Sequence, residues 1–586
     1  MFIDARDITN AQTFDTTVCI VGGGVAGIAL ALNLARQHID VCVLESGGLT
    51  SDAATDDLYQ GDNVGIPYAF DCHYRSRYLG GSSNCWGGWN RPLEPEDFSA
   101  RAWVPHSGWP LSHAELQPYY ERTHALLALG PTSFDSEFWE KAIGSSRVRR
   151  VQFASERVCD SFSQFSRHAR MGKLYHAELA SNPSVRVFLY ANAVNIATDN
   201  TAQRVTQIDV RTLSGRAFTL RANYFVLATG GIENARLLLA SNQTQREGLG
   251  NGNDLVGRFF MDHPRLQAGT LKLRKPFRGN KLYDIKHQDK TRVVFAHGTS
   301  VAAQFVLRPE VIEREQLLHA RVWFRSIFAG ENSPAVEALH RFTQTFLHNA
   351  HTNLQYRRDL LTMLRDPIST LGYILARALP VRPLLRGVRY EIVAEPDPNP
   401  NSRVTLSDER DQLGMRRVRV DWQLGALVRK TFTRTLAIVS EELQQAGVAD
   451  IELPPLFADE QFTDQTFTDK PFSDQTFSDQ QWPDDLQGTW HHMGTTRMSD
   501  SATQGVVDRN CRVHGMDNLF IAGSSVFPTG GGNFPTMTLA ALALRLGDHL
   551  ALEIKNTTPA LSGLGTDSLA VTAAPTGTFH YQPVTY

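Results

Sequence analysis

The chain has 586 residues, with 58 Lys and Arg against 61 Asp and Glu and a formal net charge of −3. Apolar residues make up 42% and charged residues 20%, which excludes a wholly disordered chain and permits a large core. The balanced charge excludes a dedicated nucleic-acid binder, which would carry a basic excess. Cys19, Cys42, Cys72, Cys85, Cys159 and Cys511 form no Cys-x-x-Cys pair. Neither a zinc knuckle nor a disulfide scaffold is encoded, and free thiols in a reducing compartment are expected.

Met1 to Thr17 is polar and acidic, without the basic and apolar run of a secretory leader. The apolar stretch Val18 to Ala35 is broken by four glycines and Asn33, so it reads as strand, turn and helix rather than a membrane span. A cytoplasmic protein is expected. Asp15 to Val21 is β-branched and apolar, as a buried parallel strand should be. Gly22 to Gly24 follow, then a helix through Gln37 and a second strand at Val41 to Leu44, which together make a βαβ unit. Similar strands recur at Tyr224 to Ala228, before Thr229-Gly230-Gly231, and at Leu519 to Ala522, before Gly523. Each leads into a helical pattern, at Glu233 to Ala240 and Thr538 to Leu552. One sheet interrupted by insertions is the simplest reading.

The insertions differ in character. Short β-type runs occupy 266–328 and 388–424, and 335–379 reads mostly helical. A second, discontinuous domain is expected, built on an antiparallel sheet with a helical insertion. The segment Ser369 to Tyr390 carries Arg377, Arg382, Arg386 and Arg389, no acid and many Leu and Ile. It reads as a helix and loop whose leucines pack and whose arginines stay solvated, in preference to a peripheral membrane contact. Phe457, Phe462, Phe467, Phe472, Phe477 and Trp482 recur every five residues, with Asp at the same step from Asp459 to Asp484. A period of five fits neither helix nor strand, so an acidic surface loop is expected. Pro559 to Tyr586 reads as a mobile tail.

Gly22-Gly23-Gly24-Val25-Ala26-Gly27 matches Gly-x-Gly-x-x-Gly between a strand and a helix. Gly22 permits the tight turn, Gly24 a close approach of pyrophosphate, and Gly27 close helix packing. The helix N-terminus offers N–H groups and a positive dipole to phosphate. Glu45 ends the second strand, where a carboxylate can bond ribose hydroxyls. Glu45-Ser46-Gly47-Gly48 and the late Gly523 strand favour FAD over NAD.

Several segments resemble the glucose–methanol–choline (GMC) oxidoreductases, in the family's order from 15 to 550. They are Gly80 to Gly88, Ala228 to Arg236, Asn253 to Arg258, His491 to Met498, and Val507 to Thr529 with the helix that follows. The look of His491–Met498 and Phe527–Thr538 is that of the pyranose-oxidase-like branch. The resemblance implies an α/β (α+β overall) fold, with a Rossmann-like FAD-binding domain and a discontinuous antiparallel-sheet substrate domain. Its boundaries are set at 1–62, 185–262 and 488–556 for FAD binding, 63–184 for a flavin-covering loop and connection, 263–456 for substrate, 457–487 for the repeat loop and 557–586 for the tail. Beyond Gly22 to Gly27 and Glu45, it assigns to FAD Ser46, Gly80, Gly81, Ser82, Asn84, Cys85, Trp86, Gly87, Ala228, Thr229, Gly230, Asn234, Gly523, Ser524, Asn533, Pro535 and Thr536. Cys85 lies near where some relatives carry a flavin-linked histidine, so FAD is expected to be non-covalent. No metal is expected.

An alcohol C–H donates hydride poorly until its hydroxyl loses the proton, and a neutral imidazole beside the flavin can accept that proton. His491 matches the family's first motif histidine and is the expected base. His492 stands where many relatives carry proline and is grouped with it, for substrate binding or loop support. The family usually places Asn or a second His opposite. Here the text reads Gly532-Asn533-Phe534-Pro535, and Asn533 is expected to orient the hydroxyl through a bulge in the glycine-rich turn, although alignment on the proline would put Phe534 in that slot. Tyr74, Arg75 and Arg77 are read as phosphate or substrate holders or as solvated surface.

The leading expectation is oxidation of a secondary alcohol of a sugar, glycoside or polyol to a ketone, with hydride passing to flavin N5. O2 or another acceptor reoxidises the flavin. Alternatives are a lipophilic-alcohol dehydrogenase passing electrons to a quinone or protein, a flavin-dependent lyase, and a non-catalytic docking protein using the Phe–Asp repeat.

Overall fold

A computed structural model describes residues 1–70, 74–144, 148–166, 170–274, 280–284, 294–328, 330–331, 333–348, 356–378, 385–453 and 482–557. Of the repeat loop expected at 457–487 and the tail expected at 557–586, residues 457–481 and 558–586 lie outside the described residues.

Strand Thr13–Val21 is the centre of an eight-stranded sheet. Its last four residues are buried, and it pairs in parallel with Val41–Leu44 on one side and Ala217–Leu227 on the other. Val185–Leu189 and then Phe2–Asp4 extend the parallel side. Leu519–Ile521 pairs in parallel with Phe225 to Leu227. Strands Asn192–Thr198 and Val205–Arg211 close the far edge in antiparallel pairing. The three strands expected to share one sheet, from the start, middle and end of the chain, do so.

Helix Val25–Ala35 is buried on nearly every side, because it lies between this sheet and helix Thr536–Thr557. Its one buried polar residue, Asn33, is satisfied across that contact by donating to the Leu544 carbonyl and the Asp548 carboxylate, each at 2.9 Å. A Cβ at Gly27 would stand 1.9 Å from the Gly22 carbonyl oxygen, so only glycine lets the helix start this close to the strand.

Among the described residues the second sheet has nine strands, and its neighbouring strands pair antiparallel. Its centre is Pro264–Leu273, Leu385–Ala394, Ala320–Phe328 and Thr299–Leu307. The sheet also takes Trp89–Asn90 and Val158–Phe165 from the segment read as connection, and Gln487–Gly488 from beyond the repeat. The strands Arg403–Arg410 and Arg416–Asp421, expected in this sheet, instead form a three-stranded sheet with Gly61–Asn63. The helical insertion is present as Pro334–His348, Tyr356–Arg365 and Pro367–Ala378. Leu371 and Leu375, expected to pack, are exposed.

Candidate active site

A cavity of about 590 Å³ opens at the carboxyl ends of the parallel strands and reaches the second sheet, the place where open α/β sheets bind ligands. Gly22, Gly24, Val25, Ala26, Glu45, Ser46, Gly81, Ser82, Cys85, Trp86, Gly87, Ala228, Thr229, Gly230, Gly523, Ser524, Pro535 and Thr536 line it, as expected for a common ligand. Gly27, Gly80, Asn84 and Asn234 do not line it and act from behind. The Asn234 side-chain oxygen accepts from the Thr229 amide at 3.0 Å, and its amide donates to Ser525 Oγ at 2.9 Å, tying two strand ends together. Asn84 donates to the Leu79 carbonyl at 3.0 Å and holds the loop in shape.

Glu45 is buried, and its two oxygens accept from the Gly23 amide at 2.8 Å and the Gly47 amide at 3.1 Å. Burial pushes its carboxyl up, and the amides pull against that shift. The carboxylate thus fastens the glycine loop to the end of the second strand. Arg75 and Arg77, read as ligand holders or surface groups, both meet Glu233, at 3.1 and 3.4 Å, and Arg77 also lines the cavity. Burial pushes the Glu233 carboxyl up, but Arg236, Arg77 and Arg75 together hold it down at about 2. Arg75 also lies over the Tyr59 ring at 3.8 Å. This cluster is a charged brace in the cavity wall, which Tyr59, Arg77, Glu233 and Arg236 line.

Three segments converge on the opposite wall: 261–263, 489–493 and 531–534. Met261 and Met493 pair through both backbone amides. Between them, buried Asp262 accepts from the amides of Trp490 (2.7 Å) and His491 (2.8 Å), from Thr489 Oγ1 (3.0 Å) and from the Tyr68 hydroxyl (2.6 Å). The His491 backbone is therefore fixed by one carboxylate.

The protons of the adjoining imidazoles can be assigned. His263 Nε2 lies 2.8 Å from the Gly531 carbonyl oxygen, which only accepts, so Nε2 carries hydrogen. Burial lowers the His263 pKa to about 4, so the ring is neutral near pH 7 and its Nδ1 is an acceptor. His491 Nδ1 lies 3.1 Å from that Nδ1 and 2.8 Å from Thr489 Oγ1. For the histidines to be bonded, His491 Nδ1 must donate. Burial, then the neighbouring His263 and His492, lower the His491 pKa well below its ordinary value. A neutral His491 protonated at Nδ1 has a bare Nε2, and the residue lines the cavity.

His492 also lines the cavity, and its buried Nε2 has no hydrogen-bond partner. Burial, then Arg75, lower its pKa to about 3.

The expectation for Asn533 does not hold in this geometry. Its amide donates to the Pro92 carbonyl at 2.6 Å and to Glu94 at 3.2 Å, and it does not line the cavity. The preceding turn is pinned, with His263 bonded to the Gly531 carbonyl and buried Arg321 donating to that of Gly532 at 2.5 Å. Phe534 lines the cavity instead. Its ring centre lies 4.9 Å from that of His491 and 5.5 Å from that of Trp89. Trp89, Trp323, Phe534 and Arg265 complete this end of the cavity. Arg265 is held by Glu391 at 2.8 Å, and the Trp323 indole donates to the same carboxylate at 3.2 Å. Asp262, His263 and Thr489 were missed by the sequence reading. Their one local signal is the Asp-His-Pro triplet at 262–264, just beyond the quoted segment ending at Arg258.

Residues 398–543 match the family model described as GMC oxidoreductase, and residues 17–245 match that described as FAD dependent oxidoreductase. Residues 398–543 thus form a GMC oxidoreductase domain and residues 17–245 an FAD dependent oxidoreductase domain. The chain is an FAD-dependent oxidoreductase. It is 23% identical to the fructose dehydrogenase large subunit of Gluconobacter japonicus, over 93% of this chain and 99% of that one. It is likewise 23% identical to paromamine 6'-oxidase of Streptomyces fradiae, over 91% of each. A fungal aryl-alcohol oxidase structure shares the fold with a TM-score of 0.54 at 14% identity, over 92% of this chain and 99% of that one. The cavity suits FAD on its own evidence. A Cβ at Gly523 would meet no atom within 4 Å, so the strand end borders open space, and the unpartnered His492 Nε2 supplies a polar contact for a bound group. No described helix is long and apolar enough to cross a membrane.

Proposed function

We propose that the enzyme oxidises a secondary alcohol of a sugar, glycoside or polyol to a ketone, with His491 taking the hydroxyl proton. The observation that carries this reading is the directed hydrogen-bond chain from His491 through His263 to the Gly531 carbonyl. It leaves His491 Nε2 as the acceptor on the cavity side. FAD, held by the glycine loops and the Glu45 turn, supplies the hydride acceptor. His491 gains positive charge as the alcohol oxygen gains negative charge, so the two stabilise each other in a site with little water. His263 receives the Nδ1–H of the imidazolium and holds the ring in the productive orientation; it is a positioning residue. His492, whose buried Nε2 is unpartnered in the cavity wall, would hold FAD. FAD is bound without a covalent link, and yellow colour kept in an acid-precipitated pellet would contradict this.

The sugar-like substrate is supported by Trp89, Trp323 and Phe534, whose faces suit the C–H surface of a ring, beside Arg265, which can donate to hydroxyls. The names of the fructose and paromamine enzymes point the same way. Phe534 in place of an amide favours a second reading, a lipophilic alcohol. The deciding experiment is anaerobic mixing of the holoenzyme with sugars, glycosides, polyols and lipophilic alcohols while following flavin absorbance. Bleaching by the polyols supports the first reading, and bleaching by lipophilic alcohols alone supports the second. An oxidised flavin with every alcohol, reducible by dithionite, overturns both. Admitting air afterwards separates an oxidase from a dehydrogenase.

A further inference from the structure

The helices Tyr356–Arg365 and Pro367–Ala378 are turned the wrong way round for a water-exposed surface. Leu360, Leu361, Leu364, Ile368, Leu371 and Leu375 all point outward, with Ile368 84% and Leu364 65% exposed. On each helix these residues recur at three- and four-residue steps and form one stripe. Elsewhere among the described residues, exposed large hydrophobics such as Leu49, Val64 and Leu552 are far apart in sequence.

The orientation is fixed from within. Met363, Thr370 and Tyr373 are buried, and Tyr373 packs with Phe328 and Val336. Asp359 is buried and paired with Arg341 at 2.9 Å. Asp366 accepts from the Ser369 amide at 3.1 Å at the start of the second helix. Both acids of the segment are thus engaged by its own fold. The exposed basic groups used by this face are Arg358 and Arg365. A face of leucine and isoleucine flanked by Arg358 and Arg365, with Asp366 bonded into the start of the second helix, matches an anionic lipid surface, where apolar side chains enter the acyl boundary and arginines meet phosphate. A second copy fits less well, since face-to-face docking would bring two sets of arginines together. With 10 and 12 residues the helices are too short to span a bilayer, so they lie on it.

We propose that this helix pair is a peripheral docking surface for membranes containing anionic phospholipid. The test is flotation of the holoenzyme with vesicles of phosphatidylcholine alone and of phosphatidylcholine with about one-third phosphatidylglycerol. Flotation is expected with the anionic vesicles, weaker at high salt and absent with the neutral ones. Leu364→Asp with Ile368→Asp should reduce the bound fraction at least tenfold, and Arg358→Gln with Arg365→Gln should remove the preference for anionic lipid. FAD absorbance and the unfolding midpoint of each variant should match the parent; where the aspartates disturb the fold, Ile368→Ser with Leu371→Ser replaces them. No flotation with anionic vesicles overturns the proposal, as does binding undiminished in folded variants. A holoenzyme dimer that these variants dissociate, without vesicle binding, assigns the face to a second copy and also overturns it.

Discussion

The Nδ1 atoms of His263 and His491 face each other at 3.1 Å, and the far side of His263 is tied to the Gly531 carbonyl. Removing His263 leaves Thr489 Oγ1, 2.8 Å from His491 Nδ1, as that atom's partner among the described residues. Its hydroxyl already donates to Asp262 and can only accept there, so the proton stays on Nδ1 but the ring loses the partner that orients it. His263→Leu is therefore expected to slow flavin reduction by about 10- to 100-fold, and His491→Ala by about 10²- to 10⁴-fold, with FAD retained in both. The parent's activity should persist on the acid side of 6.5, because the His491 pKa is lowered. In His263→Leu the acid limb should move to higher pH, since His263 contributes to that lowering. A purely structural His263 would leave the pH profile in place.

The same burial links stability to pH. His263 titrates at about 4 when folded and His492 at about 3, both below the ordinary value near 6.5. Between those values the unfolded chain binds more protons than the folded one. Stability is therefore complete above pH 6.5 and falls as the pH drops toward 4. His263 alone should cost about 2 kcal/mol at pH 5 relative to pH 7. Urea unfolding at the two pH values measures this, and the slope should flatten in His263→Leu.

Glu45 binds the amides of Gly23 and Gly47 rather than presenting a free carboxylate. Glu45→Ala unfastens the glycine loop by removing two charge-assisted hydrogen bonds. A loss of about 1.5–3 kcal/mol in FAD affinity follows, or roughly 10- to 100-fold. Titration of apoenzyme with FAD, followed by flavin fluorescence, checks it; an unchanged affinity would mean that the loop holds its shape without the clamp.

Asn533 and Phe534 should separate stability from substrate handling. Asn533→Ala strands the Pro92 carbonyl and is expected to cost about 1–3 kcal/mol of stability with the rate of flavin reduction kept. Phe534→Ala should leave FAD binding intact and raise KM, because it strips one wall of the cavity beside His491. Unfolding midpoints and stopped-flow reduction of the two variants distinguish these effects.

The FAD half of the fold was legible because its signals are local. Gly22 to Gly27 sit between a β-branched strand and an apolar helix, and each glycine has one steric duty. The second sheet was legible only in part. Its strands Trp89–Asn90 and Gln487–Gly488 are two residues long, too short for any periodicity. Arg403–Arg410 and Arg416–Asp421 carry a strand pattern that does not say which sheet they join. In the site, His491 could be read from its motif, but its partner could not. His263 lies 228 residues away, and sequence spacing carries no trace of a hydrogen bond between rings. Asn533 misled because an amide looks like chemistry, whereas the carbonyls of Gly531 and Gly532 decide which way the turn faces.

Strand Leu519–Ile521 and helix Thr536–Thr557 complete the sheet and cover the helix that begins at the first glycine motif. About 500 residues separate these pieces from Val21. At a ribosomal rate of about 5–20 residues per second, the nascent βαβ unit waits roughly 25–100 s for its last strand and its outer helix. Throughout that interval the apolar outer face of Val25–Ala35 lacks its cover, so chaperone capture of the emerging chain and late loading of the flavin are built into the order of synthesis.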